Sequence, residues 1–229
     1  MKTVVITGAN GNLGTATVKK FLDEGYSVIA VDAKDDHLEF AKENKNFERH
    51  AVDLTKETET ENFVKSVITD RGKIDAALML VGGFAMGNIS ATAGSDIQKQ
   101  FSLNFETAYF LARPLLQHMQ QNSYGRLVFI GARPALNPAQ GKDLIAYALS
   151  KSLLFKLADF INDENKGKNI VASVVVPSTI DTAINRKSMP NVNPENWVKP
   201  EQIADVLEFI CSEKGIPLRE PLYKVYNNS

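Results

Sequence analysis

Thr3-Val4-Val5-Ile6-Thr7-Gly8-Ala9-Asn10-Gly11-Asn12-Leu13-Gly14 is the stretch that decides the fold. Thr3 to Ile6 is β-rich and does not alternate polar with apolar, the pattern of a strand covered on both faces. Apolar residues then recur at Leu13, Ala16, Val18, Phe21 and Leu22, which predicts a helix. Between the two lie three glycines with distinct tasks. Gly8 permits a tight turn, Gly11 lets a pyrophosphate approach the backbone, and Gly14 lets the helix pack closely on the sheet. Asn10, Asn12 and Leu13 stand at the helix start, where unpaired N–H groups and a partial positive charge suit a phosphate. A strand, a glycine turn and a helix in this order predict a nucleotide site; a merely structural turn is the alternative.

Working outward, a second buried strand covers Ser27 to Val31, and Asp32 ends it 18 residues after Gly14. A carboxylate there accepts bonds from both hydroxyls of an adenosine ribose and repels a 2′-phosphate. The reading favours NADH, and Lys34 leaves NADPH open. Asp53 and Leu54 close a third strand; they flank the adenine or start the next turn. The alternation continues with a helix from Thr55 to about Asp70, a strand from Ile74 to Val81 and a long helix from about Ser95 to Gln121. A strand from Arg126 to Ile130, a helix from about Leu144 to Asn162 and a strand from Ile170 to Val176 follow. A helix from Pro200 to Ser212 and a short strand, Leu222 to Val225, complete the pattern. This is the signature of a single doubly wound, Rossmann-type parallel α/β sheet of about seven strands with helices on both faces. One domain over residues 1–229 is expected, because no Gly/Pro/Ser-rich linker divides the chain. Pro177 to Lys199 shows no convincing period and reads as a long substrate loop or lid.

Composition narrows the class. The 229 residues carry 26 basic and 27 acidic side chains, a net charge of −1, which argues against nucleic acid as a main partner. No apolar run reaches the length of a membrane span, and the opening Met-Lys-Thr-Val-Val-Ile-Thr-Gly breaks too early for a signal peptide. The single cysteine, Cys211, allows no internal disulfide and reads as a buried structural thiol in a cytoplasmic protein. His37, His50 and His118 have no partners at metal-ligand spacing, so no metal site is expected.

The glycine turn, Asp32, Asp53-Leu54, Tyr147-Ala148-Leu149-Ser150-Lys151 and Pro177-Ser178-Thr179-Ile180-Asp181-Thr182 together resemble the short-chain dehydrogenase/reductase family. The resemblance implies Tyr147 and Lys151 as the catalytic pair, with Asn104 fitting the family's catalytic asparagine. It places Gly82, Gly83 and Pro177 among the cofactor-binding residues, with Ile180 and Thr182 bonding the nicotinamide carboxamide. It also implies a homodimer through a four-helix bundle. Three stretches look most like the pterin-reducing branch of the family. They are Gly82-Gly83-Phe84-Ala85-Met86-Gly87-Asn88, Ile130-Gly131-Ala132-Arg133-Pro134-Ala135-Leu136, and Asp181 to Pro190 with Met189 near its end. Two departures stand out. The glycines are spaced Gly-x-x-Gly-x-x-Gly, and Asn104 is present where animal members of that branch lack it.

Tyr147 and Lys151 are four apart, hence on one helical face. A free phenol titrates at about 10. An adjacent ammonium favours the phenolate, and a drop of roughly 2–3 units would bring it near working pH. Lys151 can also donate to the nicotinamide ribose. Ala132 stands where the family carries a serine that holds a reacting carbonyl oxygen. Loss of one such donor costs roughly 10²–10³ in rate. An ordinary ketone is therefore a less natural substrate than a quinonoid dihydropterin, which is electrophilic and needs a proton on a ring nitrogen. Phe84 packs on a flat pterin or belongs to the core. Arg186 and Lys187 meet a polar substrate edge or form a solvated pair, and Trp197 packs the loop onto the following helix or serves a lid. The wide apolar arcs of the two long helices, Phe101 to Leu116 and Leu149 to Phe160, fit a partner surface or deep burial. Reduction of another carbonyl or enone, and a non-catalytic sensor of dinucleotide state, are the competing readings.

Overall fold

The computed structural model describes residues 1–34 and 38–228. Seven strands form one all-parallel sheet in the order β3-β2-β1-β4-β5-β6-β7. They are β1 Thr3–Thr7, β2 Ser27–Asp32, β3 Phe47–Ala51, β4 Ala76–Met79, β5 Tyr124–Ile130, β6 Asn169–Pro177 and β7 Leu222–Val225. The central strands are rows of Val, Ile, Ala and Leu, because helices cover both of their faces. On one face α1 (Asn12–Asp23) packs against α9 (Pro200–Cys211), over Phe21, Val28, Leu78, Val128 and Leu207. On the other lie α2 (Glu57–Arg71), α4 (Thr107–Gln121) and α7 (Ile145–Glu164), over Ile29, Phe63, Leu111, Phe129 and Leu154. The chain winds one way from β1 to β3 and the other way from β4 to β7. The reversal between β1 and β4 opens a crevice at their carboxyl ends, the place where such sheets hold ligands.

The long helix expected from Ser95 begins one residue earlier and is not uniform. It consists of α3 (Gly94–Phe101), a π-helical turn at Ser102–Glu106, and α4. The segment from Pro177 to Lys199 is more regular than its lack of period suggested. Thr182 Oγ1 accepts from Asn185 N–H (3.1 Å) and caps the short helix α8 (Ala183–Ser188). Asn193 caps a 3₁₀ turn at Pro194–Asn196, and Ile180 bridges to Val198. Trp197 is buried, as expected of a residue that packs this segment down. Two further short helices, α5 (Arg133–Leu136) and α6 (Pro138–Gly141), pack near the start of α7. Sequence periodicity did not predict them, since four residues carry no period.

Candidate active site

Each glycine of the first turn does a different job. Gly8 sits at φ +63°, where any side chain would be strained. A Cβ on Gly14 would lie 2.1 Å from the Gly8 carbonyl oxygen and 2.7 Å from Ala9 Cα, so α1 reaches the turn only without a side chain there. Gly11 is looser, its Cβ position being 3.2 Å from the Gly8 oxygen. Thr7, which the sequence reading passed over, ties the two halves of the sheet together. Its hydroxyl accepts from Leu80 N–H (3.1 Å), at the carboxyl end of β4. The available signal was a hydroxyl on the last residue of a buried strand.

Asp32 reaches the glycine turn. Its Oδ2 accepts from Asn10 N–H (3.0 Å) and its Oδ1 from Ala33 N–H (2.8 Å). A carboxylate has about four lone-pair sites, so ribose hydroxyls can still be bound there. Asp53 lies beyond the end of β3 and accepts from both the N–H (3.0 Å) and the hydroxyl (2.6 Å) of Thr55. The Thr55 hydroxyl holds its carboxyl below the ordinary aspartate range. The turn-forming role is thus in place, and Leu54 beside it is buried.

Tyr147 and Lys151 stand on the first turns of α7. Burial pushes the Tyr147 phenol up to about 12 and the Lys151 ammonium down to about 8. The expected lowering of the phenol by Lys151 is therefore not the dominant effect. Lys151 Nζ instead donates to the Ile130 carbonyl at the end of β5 (2.9 Å), and desolvation governs both groups.

Asn104 is fully buried within the π-turn. Its Oδ1 accepts from Gly83 N–H (2.9 Å), and its Nδ2 faces Gly83 O (3.1 Å), Gln100 Oε1 (2.9 Å) and Ser150 Oγ (3.1 Å). Asn104 thus grips the Gly82-Gly83 segment. Side chains on either glycine would press on their neighbours. A Cβ on Gly82 would lie 2.7 Å from Asn104 Oδ1 and 2.9 Å from Lys151 Nζ, and one on Gly83 would lie 2.4 Å from Leu103 Cδ2.

Phe84 is 62% exposed, so it is not a core residue. Its ring meets Tyr147 edge-to-face, with centroids 5.2 Å apart. Ala132 is 4% exposed and offers no hydroxyl. Met189 is half-buried at the end of α8. Arg186 forms a two-pronged pair with Asp181 (2.6 and 2.8 Å), which makes it a partner within the loop. Pro177 ends β6, while Asn185 Nδ2 donates to the Ile180 carbonyl (2.8 Å). Of the histidines, His118 accepts from Ile74 N–H and His50 meets Glu48, while His37 lies outside the described residues. Cys211 is buried, which raises its thiol to about 12 and leaves it unreactive. Among the described residues no helix is long and apolar enough to cross a membrane.

A dinucleotide turn, a carboxylate at the end of β2 and a Tyr-x-x-x-Lys pair at the crevice define a dinucleotide-dependent oxidoreductase. The short chain dehydrogenase family matches residues 2–193, and the chain belongs to that family. It is 25% identical over 233 residues to a dihydropteridine reductase of Dictyostelium discoideum, covering all of this chain and 96% of that one. It is 23% identical to a 3-oxoacyl-(acyl-carrier-protein) reductase of Thermotoga maritima, over 93% of this chain and 92% of that protein. A 4-hydroxyisoleucine dehydrogenase complexed with NADH has the same fold. The TM-score is 0.89 at 20% identity, covering 99% of this chain and 98% of that one.

Proposed function

We propose that the protein is a cytoplasmic, homodimeric reductase that uses NADH to reduce a quinonoid dihydropterin. One observation carries the reading: the exposed ring of Phe84 forms an aromatic wall beside Tyr147, with centroids 5.2 Å apart. Ala132 supplies no donor for a ketone oxygen, and Phe84 presents an exposed ring edge-on to Tyr147. An aromatic ring system suits that wall better than an isolated carbonyl.

The crevice fits the dinucleotide. Gly8 to Leu13 supply backbone N–H groups for the pyrophosphate, and the absence of a Cβ on Gly11 leaves the approach open. Asp32 takes the adenosine ribose, and Asp53 and Leu54 lie toward the adenine. Gly82, Gly83, Lys151, Pro177, Ile180 and Thr182 surround the nicotinamide end. When bound, NADH supplies the hydride. Tyr147, kept protonated by its burial, gives the matching proton from its hydroxyl to a ring nitrogen, and Lys151 orients the ribose. Met189 closes on the substrate from α8. The dimer buries the exposed apolar face of the long helices: Ile97, Tyr109, Leu149, Leu153 and Phe160.

Reduction of another carbonyl or enone is the second reading. Asn104 favours it, because it fits the wider family's catalytic asparagine. NADH oxidation assayed with quinonoid dihydropterin against aldehydes and ketones separates the two.

Two expected results follow from the site. Asp32→Ala weakens NADH by roughly tenfold or more, through loss of charge-assisted bonds, and weakens NADPH much less. Fluorescence titration with both cofactors checks it, and an unchanged preference would refute the ribose role. The second concerns pH. Lys151 is cationic below about 8 and neutral above, whereas the phenol at about 12 stays protonated throughout. The profile of kcat/KM, which reports the free enzyme, is therefore flat near neutrality and falls as pH rises through about 8. A rate that rises through that range would contradict the need for the ammonium.

A further inference from the structure

The orientation of the Asn104 carboxamide matters, because its two ends do different things. Oδ1 receives the Gly83 N–H, and the point a Gly82 Cβ would occupy is 2.7 Å from Oδ1 and 2.9 Å from Lys151 Nζ. Turned end for end, the amide would present an N–H group to the Gly83 N–H, which is repulsive. Two side chains oppose that flip by placing acceptors against Nδ2. Gln100 Oε1 does so from one turn earlier in α3. Ser150 Oγ does so from α7, and it is available as an acceptor there because it donates to the Tyr147 carbonyl (2.8 Å). Gln100 and Ser150 are both buried, so water does not replace either acceptor. The π-turn at Ser102–Glu106 carries Asn104 in this buried position.

We propose that Gln100 and Ser150 are positioning residues of the reaction: they lock Asn104 so that it clamps the Gly82-Gly83 peptide, which lies against Lys151. The chain of bonds runs from Gln100 through Asn104 and Ser150 to the main chain of Tyr147, and so joins the long helix, the β4 exit and α7 at one point. Gly82 is part of the device, since a Cβ there would press on both Asn104 Oδ1 and Lys151 Nζ. This inference rests on Tyr147 and Lys151 being the catalytic pair, but not on which substrate they serve.

The test is a double-mutant cycle on the full-length protein with Ser150→Ala, Asn104→Ala and the two combined. Gln100→Met is added as a second route to the same loss. Ser150→Ala is expected to lower kcat by roughly 10–100-fold, the cost of a displacement near 1 Å at reacting groups. If Ser150 acts through Asn104, the double variant is no slower than Asn104→Ala alone; multiplying effects would overturn the proposal. A readout that needs no substrate is hydrogen exchange at the Gly83 amide. It should quicken by roughly tenfold in Ser150→Ala and in Gln100→Met, while β4 amides stay protected. Unchanged exchange at Gly83 would also overturn it. A protein that reduces only a carbonyl compound defeats the pterin reading alone, and the cycle is then run with that compound. If nothing is turned over, Gly83 exchange decides.

Discussion

Tyr147→Phe is expected to lower kcat by roughly 10²–10⁴-fold, the usual contribution of a positioned general acid. NADH affinity should change by less than a few-fold. The argument is local. Phenylalanine keeps the ring and so keeps the edge-to-face contact with Phe84 at 5.2 Å. The bond from Ser150 Oγ goes to the main-chain carbonyl of residue 147 and survives. Only the hydroxyl is lost, so a large fall in kcat reports proton delivery, whereas a rise in KM alone would report lost binding. Steady-state kinetics together with NADH titration check it. A variant as fast as the parent would remove Tyr147 from the chemistry.

The second large effect is on the fold and the cofactor together. Gly14→Ala would place a methyl 2.1 Å from the Gly8 carbonyl oxygen and 2.7 Å from Ala9 Cα, and both are backbone atoms that cannot swing aside. Overpacking of this kind costs about 1–3 kcal/mol and sometimes more. The upper end applies, because the turn must open. For a chain of this size a loss of about 3 kcal/mol lowers Tm by roughly 6–12 °C. The opened turn would also misalign the N–H groups proposed to hold the pyrophosphate, so NADH binding is expected to be lost. Gly11→Ala is the control: its Cβ position is 3.2 Å from the nearest atom, so the fold should survive while NADH weakens. Thermal melts with and without NADH distinguish them. A Gly14→Ala protein with parental Tm and NADH affinity would show that the close packing of α1 is dispensable.

These two sites were legible in the sequence because each residue type answers a local requirement. Gly8 marks a positive φ, Gly14 a close approach, Asp32 a strand end, and the spacing of Tyr147 and Lys151 a shared helical face. Alternating strands and helices likewise report the sheet directly. What stayed hidden depends on tertiary surroundings. The partners of Asn104 come from three separate segments, and the π-turn that places it has no periodic signature. The opposite shifts of Tyr147 and Lys151 arise from burial, which spacing does not report; spacing alone suggested mutual coupling. Phe84 reads equally as a core or a cleft residue until its exposure is known. The capped turns at Thr182 and Asn193 are different, because their signals were present. A threonine before Ala183-Ile184-Asn185 and an Asn-Pro pair at 193–194 are ordinary helix starts. Without a hydrophobic period, such caps do not by themselves delimit a short helix.

The most direct test of the proposed function is the rate of NADH oxidation with quinonoid dihydropterin, measured beside a panel of aldehydes and ketones on one preparation. With Ala132 offering no hydroxyl to a ketone oxygen, kcat/KM for the pterin is expected to exceed that for any simple ketone by roughly 10²-fold or more. Ketone turnover as fast as pterin turnover would contradict it.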